Sequence, residues 1–281
     1  MPYKTILVHV DELRYASEKV TIASAIAKRE NAHLIGIAIS GIESIFDLAI
    51  TANPCSRLIG PLGDADRHTE QKSLDRFSEI AAKLGVKSFE QLLVEDAPVH
   101  AMAVHSVSAD LLVVRQSDAT EYLLSASDFP EKVATASDCP PLVLPIIGDG
   151  GGLETNIIVA WDGSRPARRA VAAALPFLVK ALKVHVVIFT PATSRMDSAA
   201  KKLNSEDIRL FLVRHGTNVD VIEQTSSRDG IGSDLLTLAG DKHASLIVMG
   251  CYGHPKIIEM LFRGVSHYAL QALAAPVLIM H

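Results

Sequence analysis

The residues best suited to chemistry form one cluster late in the chain. Gly250-Cys251-Tyr252-Gly253-His254-Pro255 is followed by Lys256–Phe262 and then by Arg263-Gly264-Val265-Ser266. The cluster comes straight after the apolar run Leu246–Met249, which reads as a strand. Gly264-Val265-Ser266 stands where the final helix, Ser266–Ala274, is expected to begin. Glycines in such a loop permit positive φ and let backbone amides approach a ligand closely. A helix start adds free N–H groups and the positive end of a dipole, a combination suited to phosphate. Asp162 adds a carboxylate at the end of an earlier apolar run, Ile157–Trp161. Each feature also has a plainer explanation. A glycine pair is more often just a turn, and an aspartate before Gly163 is a common turn-former.

Other candidate chemistry is thin. Ser164 reads as a helix cap, because no Gly-x-Ser-x-Gly elbow surrounds it. Cys251 lies in the loop, where a helix end would lower a thiol's pKa, although a small residue tolerated in a turn is the simpler account. Tyr252 and His254 could touch ribose or phosphate, although loop residues that simply face solvent are the default account. The eleven histidines are scattered without ligand spacing, and the three cysteines, Cys55, Cys139 and Cys251, form no pair, so neither a metal motif nor a disulfide framework is expected. The chain lacks a Walker loop, a His-x-Gly-His signature and carboxylates paired to hold magnesium.

The elements that must position the cluster form an internal repeat. Ile6-Leu7-Val8-His9-Val10-Asp11 recurs as Ile157-Ile158-Val159-Ala160-Trp161-Asp162. Ala109–Val114 recurs as Ala244–Met249, and Pro141-Leu142-Val143-Leu144 recurs at that same second offset as Pro276-Val277-Leu278-Ile279. The glycine-rich stretch Gly148–Gly152 separates the copies, giving domains at 1–147 and 153–281. Within each copy, apolar runs alternate with helical spacing. Strands are predicted near Thr5–Val10, His33–Ile39, Phe89–Val94, Leu111–Val114 and Leu142–Ile146. Their counterparts are Ile157–Trp161, Val184–Phe189, Asn218–Glu223, Leu246–Met249 and Val277–Met280. Helices are predicted from Ser164 through Leu178, around Met196–His215, and over Ile231–Gly240. Leu48–Asp66, rich in Gly and Pro, reads as a long irregular insertion. The fold class is α/β, two tandem doubly wound parallel five-stranded sheets flanked by helices, with ligands expected at the carboxyl ends of the strands.

Composition is consistent with this. A chain of 281 residues, 48% hydrophobic but 5% aromatic, builds its cores from Ala, Val, Ile and Leu. Net charge is −5: residues 1–148 carry 13 basic against 20 acidic groups, and residues 149–281 carry 14 against 12. The second half is therefore the better host for an anion, while no dense basic run points to nucleic acid. The first apolar run is too short for an export signal or a membrane span, and cysteine usage fits a reducing cytoplasm.

Taken together, these residues resemble the signature of ATP-binding universal stress proteins: glycine, two residues, glycine, nine residues, then glycine and a small or hydroxyl residue. The resemblance extends over both copies and includes the aspartate after the first strand and the Pro-Val-Leu of the last. It implies a Rossmann-like fold and an adenine nucleotide, ATP or a relative, with or without Mg²⁺. Asp162 would face adenine. Gly250, Gly253 and His254 would make the first part of the phosphate loop, and Arg263, Gly264, Val265 and Ser266 the second. The chain departs from the pattern at Arg263, where the first glycine is expected. Arginine there is either strained, by roughly 1 kcal/mol if φ must be positive, or aims its guanidinium at a phosphate.

In the first copy, alignment without gaps at the second offset puts Arg115 at Gly250, Asp118 at Gly253, Phe129 at Gly264 and Glu131 at Ser266. Acids against phosphate are costly, so that half is expected not to bind nucleotide, although Asp11 is retained. The reading is a non-catalytic nucleotide-binding signalling module of stress response, with weak ATPase activity allowed. A nucleotide-free scaffold of the same family is the alternative. In that family the last strands pair at their edges, which here would make an internal pseudo-dimer and still allow a homodimer through other faces.

Overall fold

The computed structural model describes residues 2–11, 16–40, 59–116, 129–145, 152–190, 198–225, 230–250 and 275–281. The chain divides into two compact units, Pro2–Pro141 and Leu142–His281.

The N-terminal unit has strands β1 (Thr5–His9), β2 (His33–Ser40), β3 (Phe89–Glu95) and β4 (Leu111–Arg115) in the spatial order β3-β2-β1-β4. All three pairings are parallel, so each strand is reached by a crossover helix. These helices are α1 (Ala16–Glu30), α2 (Ile59–Leu84) and α3 (Pro98–Ser106), followed by α4 (Phe129–Ala136). Burial of β1 and β4 is nearly complete along their length, as parallel strands covered on both faces require.

Helix α2 overturns part of the expected insertion. Residues 59–66 are its first two turns, and residues 48–58 lie outside the described residues. Pro61 is the third residue of the helix. A first-turn proline breaks nothing, since its missing N–H has no intrahelical acceptor there. Phe77 of α2 explains a second feature. It lies against Gly36 of β2, where any Cβ would come within 2.7 Å of the ring.

The C-terminal unit contains β5 (Pro141–Leu144), β6 (Asn156–Ala160), β7 (Lys183–Thr190), β8 (Val219–Thr225), β9 (Leu246–Gly250) and β10 (Val277–Met280). Its order is β5-β10-β9-β6-β7-β8. Pairings from β10 through β8 are parallel, whereas β5 runs antiparallel to β10, Leu142 opposite Leu278 and Val143 opposite Val277. The sheet is therefore mixed, mostly parallel. The boundary between compact units falls at Pro141/Leu142 because β5 is paired with β10. The helices are α5 (Arg165–Leu178), α6 (Ser198–Arg214) and α7 (Ile231–Asp241). The expected helix Ser266–Ala274 lies outside the described residues.

Strand register establishes the repeat independently of residue identity. Ile6 pairs with Leu111 as Ile157 pairs with Leu246, which preserves both offsets of the sequence repeat. The last strand needs correcting. Leu112 N–H donates to the Pro140 carbonyl, while its equivalent, Ile247 N–H, donates to that of Pro276. Pro276 therefore corresponds to Pro140, not to Pro141 as the Pro-Val-Leu match suggests. The segment before the last strand is thus one residue longer in the second copy. The gap-free equivalences of Gly264 with Phe129 and of Ser266 with Glu131 therefore do not follow. The first copy lacks phosphate-loop glycines even without them, because Val86–Ile147 contains no glycine.

Candidate functional site

In each unit the chain order reverses at one place, between β1 and β4 and between β6 and β9. Loops leaving the carboxyl ends of such neighbours diverge to opposite faces of the sheet and open a crevice between them. In the C-terminal unit Ala160, the last residue of β6, sits opposite Met249 of β9. The two strand ends therefore lie side by side, one leading to Asp162 and the other ending at Gly250.

Asp162 is exposed, and its Oδ1 accepts a hydrogen bond from Ser164 N–H at 2.9 Å. Gly163 between them has φ +76°. The turn-forming account of Asp162 is thus realised in the structure. An Asx turn uses one carboxylate lone pair and leaves others for a ligand. Ser164 is the N-cap of α5, its Oγ accepting from Ala167 N–H at 3.2 Å. Arg165 and Pro166 begin the helix, with proline again in the first turn. Trp161 is buried, its N–H bonded to the Val187 carbonyl, which anchors the start of the turn to β7.

Gly250 ends β9, and space rather than positive φ accounts for its glycine. A Cβ there would lie 2.6 Å from Ala167 N and 2.8 Å from Pro166 Cβ. The first turn of α5 is pressed against the strand end, so Asp162, the α5 N-terminus and Gly250 converge on one spot. The structure brings these two predicted residues to the same crevice. Gly253, His254, Arg263, Gly264, Val265 and Ser266, with Cys251 and Tyr252, lie outside the described residues.

The equivalent crevice of the N-terminal unit is built differently. Asp11 follows β1 as Asp162 follows β6, but its Oδ2 lies 2.5 Å from Nζ of Lys19 and 3.3 Å from Nδ1 of His9. Lys19 is 1% exposed, one of the largest fully buried side chains of the molecule. The His9 ring stacks obliquely on Phe129 of α4, centroids 4.9 Å apart. Arg115, at the position of Gly250, reaches Glu18 at 3.5 Å. Burial would raise the Asp11 pKa, but the Lys19 charge and the hydrogen bonds from His9 and Lys19 outweigh it and hold the carboxyl well below its ordinary range. Burial, and then the Lys19 charge, push His9 below 6.5 despite Asp11.

Sequence reasoning missed Lys19, because a lysine in a helix reads as a surface residue. Its spacing was the available signal, since Lys19, Val20, Ala23, Ile26 and Ala27 share one buried face. Among the described residues no group of three His, Cys, Asp or Glu side chains could hold a metal ion. No helix among them is long and apolar enough to cross a membrane.

These features define a Rossmann-like α/β protein built from two copies of one sheet plan, with an exposed turn aspartate in the second copy and a part-buried ionic cluster in the first. Residues 155–281 match the Universal stress protein family model. No curated protein matches it. Over nearly its whole length the chain is similar to a universal stress protein of Archaeoglobus fulgidus DSM 4304, with 16% identity over 98% of this chain and 95% of that one, and a TM-score of 0.71. A protein of Pseudomonas aeruginosa PAO1 of unknown function is 14% identical over 99% of this chain and 92% of its own, with a TM-score of 0.59. At these identities the likeness is one of fold. A universal stress protein crystallised in complex with cAMP is 26% identical over 51% of this chain and 98% of its own, with a TM-score of 0.36.

Proposed function

We propose that the C-terminal unit binds an adenine nucleotide, ATP or a close relative, and that the protein acts as a non-catalytic stress-response or signalling module. The convergence of Asp162, the α5 N-terminus and Gly250 at the β6/β9 switch point carries this reading. It lies in the half that matches the family model. In this reading Asp162 faces the adenine side. Gly250, Gly253 and His254 begin the phosphate loop; Arg263, Gly264, Val265 and Ser266 complete it. Backbone amides and a helix start would bind the phosphates without a catalytic base, so binding rather than turnover is the expected output.

Pairing of β5 with β10 supports the further reading that the last strands of the two repeats, 1–147 and 153–281, join within one chain. Edge pairing of that kind removes exposed backbone donors and acceptors. The buried, free Cys139, its thiol pushed up to about 12 by desolvation, is inert and fits a reducing compartment such as the cytoplasm.

Isothermal titration with ATP, with and without Mg²⁺, tests the proposal. Saturable binding that weakens in Gly253→Ala and Asp162→Asn is expected; heat changes absent in the wild type would refute it.

A further inference from the structure

The two copies differ most sharply at one core position. Helices α1 and α5 bury the same face: Val20, Ala23, Ile26 and Ala27 on one correspond, at the offset that joins Asp11 to Asp162, to Val171, Ala174, Phe177 and Leu178 on the other. On that face Lys19 corresponds to Ala170, which is 0% exposed. A lysine is almost never fully buried without a partner, and this one ends 2.5 Å from the carboxylate that repeats Asp162. His9, which also bonds Asp11, corresponds to Ala160 at the end of β6. Where the second copy has alanine at both of these positions, the first has an imidazole, stacked on the ring of Phe129, and an ammonium.

We infer that Lys19 is an internal counter-ion that closes the N-terminal switch point to nucleotide. The inference rests on the proposed binding mode, in which the turn aspartate faces the adenine side. Asp11 directs its Oδ2 at two protein cations or donors, and a ligand would have to displace a desolvated ammonium to reach it. A buried ion pair separated by an incoming group leaves both charges uncompensated, which is strongly unfavourable. The N-terminal unit thus supplies from its own chain the hydrogen-bond donors that an adenine would otherwise bring to this carboxylate.

Two measurements on the full chain test this. The first needs no nucleotide: melting temperatures of Asp11→Asn, Lys19→Met and the double variant. Each single change should lower the melting temperature, and the double variant should recover most of the loss, because neither charge is then left alone. Single changes without effect, or losses that simply add, would overturn the inference. The second is equilibrium titration with a fluorescent ATP analogue. No more than one analogue should bind per chain, and Asp11→Asn, assayed while folded, should leave its affinity unchanged. A second equivalent, or affinity lost with Asp11, would overturn the closure. Absence of all binding with an intact stability cycle would refute nucleotide binding by the C-terminal unit and leave the closed N-terminal crevice standing.

Discussion

Asp162 and Asp11 are the same residue in the repeat with two different environments. Asp162 spends one lone pair on the Ser164 amide and faces solvent with the rest. Asparagine can make the same Asx turn, so Asp162→Asn should leave stability within about 0.5 kcal/mol. It should nevertheless weaken nucleotide binding roughly tenfold, the scale of one hydrogen bond to a charged group. Calorimetric titration beside a urea melt separates the two effects. At Gly250, alanine would place a Cβ 2.6 Å from Ala167 N and must displace the first turn of α5. Overpacking of this kind costs about 1–3 kcal/mol, to be read as a lower urea midpoint at constant m-value.

The Asp11 cluster also predicts a pH dependence. His9 and Asp11 both have folded pKa values below their ordinary 6.5 and 3.8. In the interval between folded and ordinary values the unfolded chain binds more protons than the native one, so stability rises with pH there. Stability should therefore be full above about pH 6.5, fall first as unfolded His9 takes up a proton, and fall further below about pH 4 as Asp11 does. Lys19→Met should remove much of the lower step, because without the ammonium burial favours a protonated Asp11. Urea melts across the pH range check both points.

At the level of elements, most of the plan is legible in the sequence. The buried parallel strands β1, β4, β6 and β9 are short, unbroken apolar runs with no helical competitor of that length. Strand β10 runs over Val277–Met280, as its apolar run predicts. Two elements depart from their sequence pattern for physical reasons. Helix α2 starts with Ile59-Gly60-Pro61, residues that mark loops in general but are tolerated in a first turn, where no N–H needs a partner. The last strand of the first copy is shifted by one residue from its best match, because Pro140-Pro141 offers two prolines to align with Pro276 and only the hydrogen bond from Leu112 selects the first. Ser164 caps α5 as its residue type predicts, and the worth of that cap can be measured. Ser164→Ala should cost about 1 kcal/mol through the lost bond to Ala167 N–H. It should also loosen the α5 start that the proposed nucleotide site depends on, so urea melts and ATP titration should move together.

At the level of the whole molecule, two copies of one sheet plan have differently built switch points, with Asp162 exposed in one and Asp11 paired with Lys19 in the other. Asp162 is legible as a site candidate because it ends a strand and precedes a glycine. That the first half does not bind nucleotide is also expected from the acids in its loop, but the pairing of Lys19 with Asp11 is not legible, because it depends on a lysine whose burial appears only once α1 packs on β1. If the second unit carries the nucleotide and the first is internally neutralised, the stoichiometry must be one. The most direct measurement is made on protein purified without added nucleotide, then denatured, with the released small molecules identified by mass spectrometry and counted against protein. One adenine nucleotide per chain, reduced in Asp162→Asn, is the predicted result. No released nucleotide, followed by no heat on titration with millimolar ATP and Mg²⁺, would contradict it.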